Sequence, residues 1–251
     1  MIPLYDQNPA STRPFVTRTL IYVNVVVFLL QWWLEMRGVP WVAEAYGMVP
    51  SRLSVDPLGE WPKLLGSAFL HGGWAHLGWN MLFLHIFGDN VEDRMGRDRY
   101  LVFYLLSAFA AALAQYAIDP LARTPMVGAS GAIAGVLGAY LVLYPRAPIA
   151  VVNPILPLWL LMGPLFALPA WFVVGMWFLG NVSGGLASLG GSGAGGVAFF
   201  AHLGGFCAGL LLVRPFQRAT ARDSRHTDRA TTRVSNRRGA FWKNDGGPFW
   251  K

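Results

Sequence analysis

A serine hydroxyl becomes a nucleophile only when a neighbouring base takes its proton, and histidine is the usual base. This chain carries one serine and one histidine in settings that invite that chemistry. Ser130 lies in Gly128-Ala129-Ser130-Gly131 and His202 in Ala201-His202-Leu203-Gly204-Gly205, each opening an apolar run. His76 and Asn80 are spaced i, i+4, which puts them on one face of a helix. Both can donate hydrogen bonds to a developing oxyanion, joined by the backbone N–H of Ser130 at a helix N-terminus. An acid to complete a triad is not evident: Asp89 and Asp119 are read as sitting at the wrong helix ends, so a Ser–His dyad is expected.

Other chemistries find less support. The GxSxG elbow is missing because position 132 is Ala. The lysines are Lys63, Lys243 and Lys251, none in an apolar run, which argues against a Ser–Lys pair. HExxH does not occur, so no zinc ligand set is expected, nor any cofactor. Cys207, the single cysteine, is read as a small packing residue. His71 is read as a loop or interface residue, His85 as belonging to the opposite half of the molecule, and His226 as tail. Taken singly, GxSG in a Gly/Ala-rich helix is an ordinary packing motif, and a lone histidine in an apolar run an ordinary packing or cofactor residue.

The elements that must position these residues are helices in lipid. The 251 residues are 54% hydrophobic and 13% charged, with a mean hydropathy of +0.41. Soluble domains carry about 25% charged residues, so the solvent for most of this chain is a bilayer. Six apolar runs stand out, at about Thr19–Leu34, Trp74–Val91, Tyr100–Ile118, Ser130–Tyr144, Leu165–Leu179 and Val197–Val213. The first lacks a small-residue cleavage site and reads as a retained helix. The fourth falls short of the roughly 20 residues a span needs, so its start is expected below the bilayer surface. The fifth contains Pro169, which membrane helices tolerate where neighbours satisfy the freed backbone.

These runs predict an all-α membrane protein, a six-helix bundle over residues 19–213. An N-terminal segment (1–18) precedes it and a basic tail (214–251) follows. The formal charge of +7 resides wholly in that tail, where ten basic residues face three acidic ones. A tail of this kind marks the cytoplasmic side, with attraction to anionic lipid, rather than a nucleic-acid reader. With both termini inside, sixteen basic residues fall on cytoplasmic segments against four outside. Residues 35–73 then form a long outer loop with Trp41 and Trp61 at the interface, and 180–196, with eight glycines, a flexible outer loop. The helices carrying His76/Asn80, Ser130 and His202 all start at the outer side, so those residues converge about 5–10 Å below it. Close approach is permitted by Gly131 and Gly135 on the fourth helix and by Ala201, Gly205 and Gly209 on the sixth.

In this combination the sequence resembles the rhomboid family of intramembrane serine proteases. The matching text is FLHGGWAHLGWNMLFLHIFGDNVED (69–93), MGRDRYLVFYLLS (95–107), MVGASGAIAGVLGAYLVLYP (126–145) and AHLGGFCAG (201–209). The resemblance implies a six-helix core, cytoplasmic termini, and cleavage of transmembrane protein substrates near their outer ends. It implies Ser130 as nucleophile, His202 as general base, and an oxyanion hole of His76, Asn80 and the Ser130 amide. It also makes the fifth helix and the loop after it a lateral gate. Pro62-Lys63 stands where many bacterial relatives read Trp-Arg, and Asn181 aligns where relatives often carry Gln. High Ala, Gly and Arg content points to a bacterial inner membrane. Two other functions stay open: a non-enzymatic rhomboid-like binder of transmembrane helices, and a channel lined by His76, Asn80 and His202.

Overall fold

A computed structural model describes residues 2–39, 42–153, 159, 163–189 and 198–218. The chain opens with strand β1 (Pro3–Asp6) and helix α1 (Phe15–Met36). Four short helices then fill the expected outer loop: α2 (Val42–Tyr46), α3 (Pro50–Val55), α4 (Pro57–Glu60) and α5 (Lys63–Gly66). Pro50 and Pro57 each open their helix, where a missing N–H costs nothing. Trp61 is exposed, while Trp41 lies outside the described residues. Lys63 Nζ meets Glu60 Oε1 at 2.8 Å within this stretch.

The long helices follow: α6 (Trp74–Met95), α7 (Arg97–Ile118), α8 (Ser130–Leu143), α9 (Ala170–Leu189) and α10 (Phe199–Phe216). Among the described residues α1, α7, α9 and α10 are long and apolar enough to cross a membrane. The chain is thus a multi-pass integral membrane protein. Helix α8 sits at the centre, with every residue from Gly131 to Tyr140 buried. A helix apolar on all sides is one enclosed by others, and α6, α7 and α10 enclose this one. At 14 residues it is about 21 Å long, shorter than the roughly 30 Å hydrocarbon layer.

Glycine sets how closely α10 crosses α8. A Cβ at Gly205 would fall on the carbonyl of Gly131, and one at Gly209 on the carbonyl of Gly135. Gly131 itself lies against Ala111, and Gly135 against Ser107, both on α7. Small residues thus bring three backbones together around the start of α8. Cys207 does not share this packing: it lies on the outer side of α10 and is exposed.

Two expectations fail in the same region. The fifth helix does not contain Pro169. Residues Leu165–Pro169 form strand β3, antiparallel to β2 (Pro148–Val152), which in turn pairs with β1. Proline pushes the residue before it toward extended backbone, and Ile149, Val151 and Val152 favour a strand. Helix α9 therefore starts just after Pro169 and runs ten residues beyond the expected Leu179. Its glycines do not break it, because Gly184 and Gly185 make room for the rings of Phe199 and Phe200. The glycines at 190–196 lie outside the described residues, as do Val197 and nearly all of the tail.

At the other end of the bundle, buried polar groups tie the N-terminal segment to α6. Glu92 is 2% exposed and accepts from the N–H groups of Val16 (2.9 Å) and Thr17 (2.8 Å), capping α1. Asp93 accepts from the N–H groups of Ser11 and Thr12. Asp6, on β1, accepts from Asn90 Nδ2 and from the Tyr140 hydroxyl, each at 2.7 Å.

Candidate active site

Ser130 is the first residue of α8, and the turn before it is held from two sides. Met126 pairs with Met48, between α2 and α3, and the Gly128 N–H donates to the Ser67 carbonyl at 2.9 Å. Gly128 takes φ +121°, a conformation that side chains resist. His202 lies in the first turn of α10 and meets Ser130 across the glycine crossing: its Nε2 is 2.8 Å from Ser130 Oγ. The Ala201 N–H, one residue earlier, donates to Gln115 Oε1 of α7 at 3.3 Å. So the two residues expected to react are in hydrogen-bond contact.

His76 and Asn80 stand on α6 beside them. His76 Nδ1 accepts from the Gly72 N–H at 3.3 Å. The neutral ring then carries its proton on Nε2. A Cβ at Gly128 would come within 2.7 Å of His76 Nε2 and 3.6 Å of Asn80 Nδ2. The bare glycine therefore leaves a gap next to Ser130 bordered by two side-chain N–H groups. Asn80 is buried, and its Nδ2 has no hydrogen-bond partner among the described residues. A buried donor left unmatched is costly, unless something is meant to arrive there. All four residues line one cleft of about 1140 Å³, floored by α8 and bordered by Trp79, Phe83 and Trp177.

Three features escaped the sequence reading, and a fourth was singled out there without its role. His71 is a loop residue, one of the two readings given for it, but its ring is fully buried, edge-on to His76 with centroids 5.2 Å apart. Gln31 of α1 grips the His71 backbone at both its carbonyl (2.8 Å) and its N–H (3.2 Å). Asp119 is at the same end as the site after all, exposed on the cleft wall, with no hydrogen bond to His202 among the described residues. Helix α7 ends there, so its C-terminal side faces the cleft. The fourth is Asn181. Its Oδ1 lies 2.5 Å from His202 Nδ1, so the ring has a second hydrogen-bond partner, a third residue that a two-residue reading lacks. The sequence aligned Asn181 where relatives often carry Gln, near the expected end of the fifth helix, but with that helix ended at Leu179 its reach to His202 was missed. His85 lines a separate, smaller cleft with Asp89, Arg13 and Arg18.

Residues 58–218 match the rhomboid domain. The chain belongs to the rhomboid family. It is similar to rhomboid protease GluP of Bacillus subtilis, 36% identical over 132 residues, which is 51% of this chain and 24% of that protein. It is also similar to rhomboid protein 1, mitochondrial, of Saccharomyces cerevisiae, 35% identical over 138 residues, 52% of this chain and 37% of that one. A further relative is inactive rhomboid protein 1 of Drosophila melanogaster, 32% identical over 97 residues, 39% of this chain and 7% of that protein. The matched regions thus span well under half the length of these rhomboid relatives.

Proposed function

We propose that this rhomboid is an intramembrane serine endopeptidase that cuts transmembrane helices of membrane proteins near their extracytoplasmic ends. The observation that carries the reading is the 2.8 Å contact between Ser130 Oγ and His202 Nε2, made in a cleft that His76 and Asn80 also line. Ser130 Oγ attacks the scissile carbonyl carbon while its proton passes to His202 Nε2. The carbonyl oxygen, now negative, is held by His76 Nε2–H, Asn80 Nδ2–H and the Ser130 amide. His202 returns the proton to the leaving amine as the C–N bond breaks, leaving an acyl ester on Ser130. Water, deprotonated by the same ring, hydrolyses that ester and restores the hydroxyl. Neither step calls for a metal or cofactor.

The wider reading follows the same line. We read six spans over residues 19–213, so that both termini share one side; the basic tail argues that this side is the cytoplasm, with the cleft at the outer face of a bacterial inner membrane. The basic tail then lies against anionic headgroups. An inactive relative makes a non-enzymatic helix binder the alternative, and Ser130 with His202 argues for the enzyme. Fluorophosphonate labelling of detergent-solubilised protein separates the two. Wild type labels and Ser130→Ala does not; labelling that persists in Ser130→Ala overturns the assignment. His202→Ala abolishes cleavage of a reporter transmembrane substrate if it is the base, and undiminished cleavage rejects that role.

A further inference from the structure

We infer that Asn181, on α9, is a positioning residue that fixes the tautomer and plane of His202. The inference rests on the reading of His202 as the base, and extends it to a residue outside the serine–histidine pair. To take a proton from Ser130, Nε2 of a neutral imidazole must be bare, so the ring proton must sit on Nδ1. A proton there needs an acceptor, because the site is enclosed and an unmatched N–H is costly. Asn181 Oδ1 is that acceptor.

The amide has only one orientation that serves. Asn181 Nδ2 donates to the Trp177 carbonyl, one turn back on the same helix, at 2.9 Å. Turning the amide over would set Oδ1 against that carbonyl and Nδ2 against the Nδ1 proton, losing both bonds at once. Trp177, whose carbonyl locks the amide, also lays its ring beside His202, with centroids 5.7 Å apart and planes at 42°. The imidazole is thus held in its plane by an aromatic face and in its proton state by an amide, both supplied by α9. A neutral amide does this without setting a second charge in the bundle, where an isolated carboxylate would be expensive to bury.

The test uses the full chain in detergent, with Asn181→Leu, Asn181→Ala and Asn181→Asp. Leucine keeps the branched shape and removes the acceptor. We expect its turnover of a transmembrane reporter, and its fluorophosphonate labelling rate, to fall by about 100-fold, the scale of general-base catalysis. KM should stay within about twofold, since no substrate contact is removed. Aspartate restores an acceptor and adds a charge that favours imidazolium. Its activity should recover toward wild type at alkaline pH, with the acid limb of the kcat/KM profile moved to higher pH. In ¹⁵N-histidine-labelled protein, the His202 signals should read an Nδ1–H ring in wild type and lose that signature in Asn181→Leu. A wild-type turnover in Asn181→Leu overturns the inference, as does an Asp variant whose acid limb stays put. If Asn181→Leu fails to fold, the aspartate profile decides alone. Failure of wild type to label would instead reject the serine–histidine reading, so the two claims fall separately.

Discussion

Gly128 shows how much one missing methyl can do. Its φ of +121° is strained for any side chain, and a Cβ would press on His76 from 2.7 Å. Gly128→Ala should therefore displace His76 and close the gap that borders Asn80. We expect cleavage to fall at least 100-fold, on the scale of losing an oxyanion donor. The backbone penalty is about 1–3 kcal/mol, so the variant should still purify folded, with a melting temperature a few degrees low. Loss of turnover with no more than that small drop in melt is the measurement to make; full activity would remove His76 from the mechanism. Asn80→Ala takes away a donor without touching the backbone. Its turnover should drop about 100-fold with little change in KM, and an altered KM alone would mark Asn80 as a substrate contact. Ser130, His202, His76 and Asn80 were legible in the sequence because each is a polar residue in an apolar run at a spacing with a chemical meaning. His71 and Asn181 were not. Nothing in FLHGG says that Gln31, forty residues earlier, will bury the histidine, and the reach of Asn181 depends on where α9 ends.

At the scale of elements, the site is a crossing of α8 and α10 held open to no more than backbone width. Gly205→Val would drive a side chain into the Gly131 carbonyl and push α10 outward. Because His202 rides on the same helix one turn earlier, its 2.8 Å contact with Ser130 should break with it. We expect a loss of about 1–3 kcal/mol from overpacking, seen as a lower detergent melt, together with loss of fluorophosphonate labelling. Gly184→Val is the contrast. It meets only the ring of Phe199, so it should loosen α9 against α10 and leave labelling of Ser130 detectable. Labelling that survives in Gly205→Val would separate the crossing from the chemistry. The helices themselves were legible from apolar runs. The end of α9 was not, since glycine reads as a breaker until the aromatic rings that fill its place are known. Nor was the sheet: β1 and β2 pair residues about 145 positions apart, and no local pattern announces such a partner.

Across the whole molecule, the N-terminal strand is a fastening with a pH dependence. Burial pushes the Asp6 carboxyl up to about 7, with the nearby Asp89 adding to the rise and the Tyr140 hydroxyl opposing it. A carboxyl whose folded value exceeds its unfolded one binds its proton more tightly when folded. Stability from this group is therefore present at acid pH and lost as pH rises from about 4 through 7. The melt of wild type should sit higher at pH 5 than at pH 8, and Asp6→Asn, which keeps an acceptor, should flatten that difference. A wild-type slope unchanged in Asp6→Asn would assign the effect elsewhere. The helices and their lipid setting were implied by composition, and the gathering of four polar residues in one cleft by their places near the starts of three helices. What composition did not disclose is that the chain's first residues close onto its middle.

Glu92 carries that closure into biogenesis. The first amides of α1, at Val16 and Thr17, are completed by a carboxyl that lies 76 and 75 residues further along the chain. As the polypeptide leaves the ribosome, α1 emerges well before its cap exists, and water must serve those amides in the meantime. Helix α1 is thus made well before it is finished, and the arrival of α6 is the event that seals it.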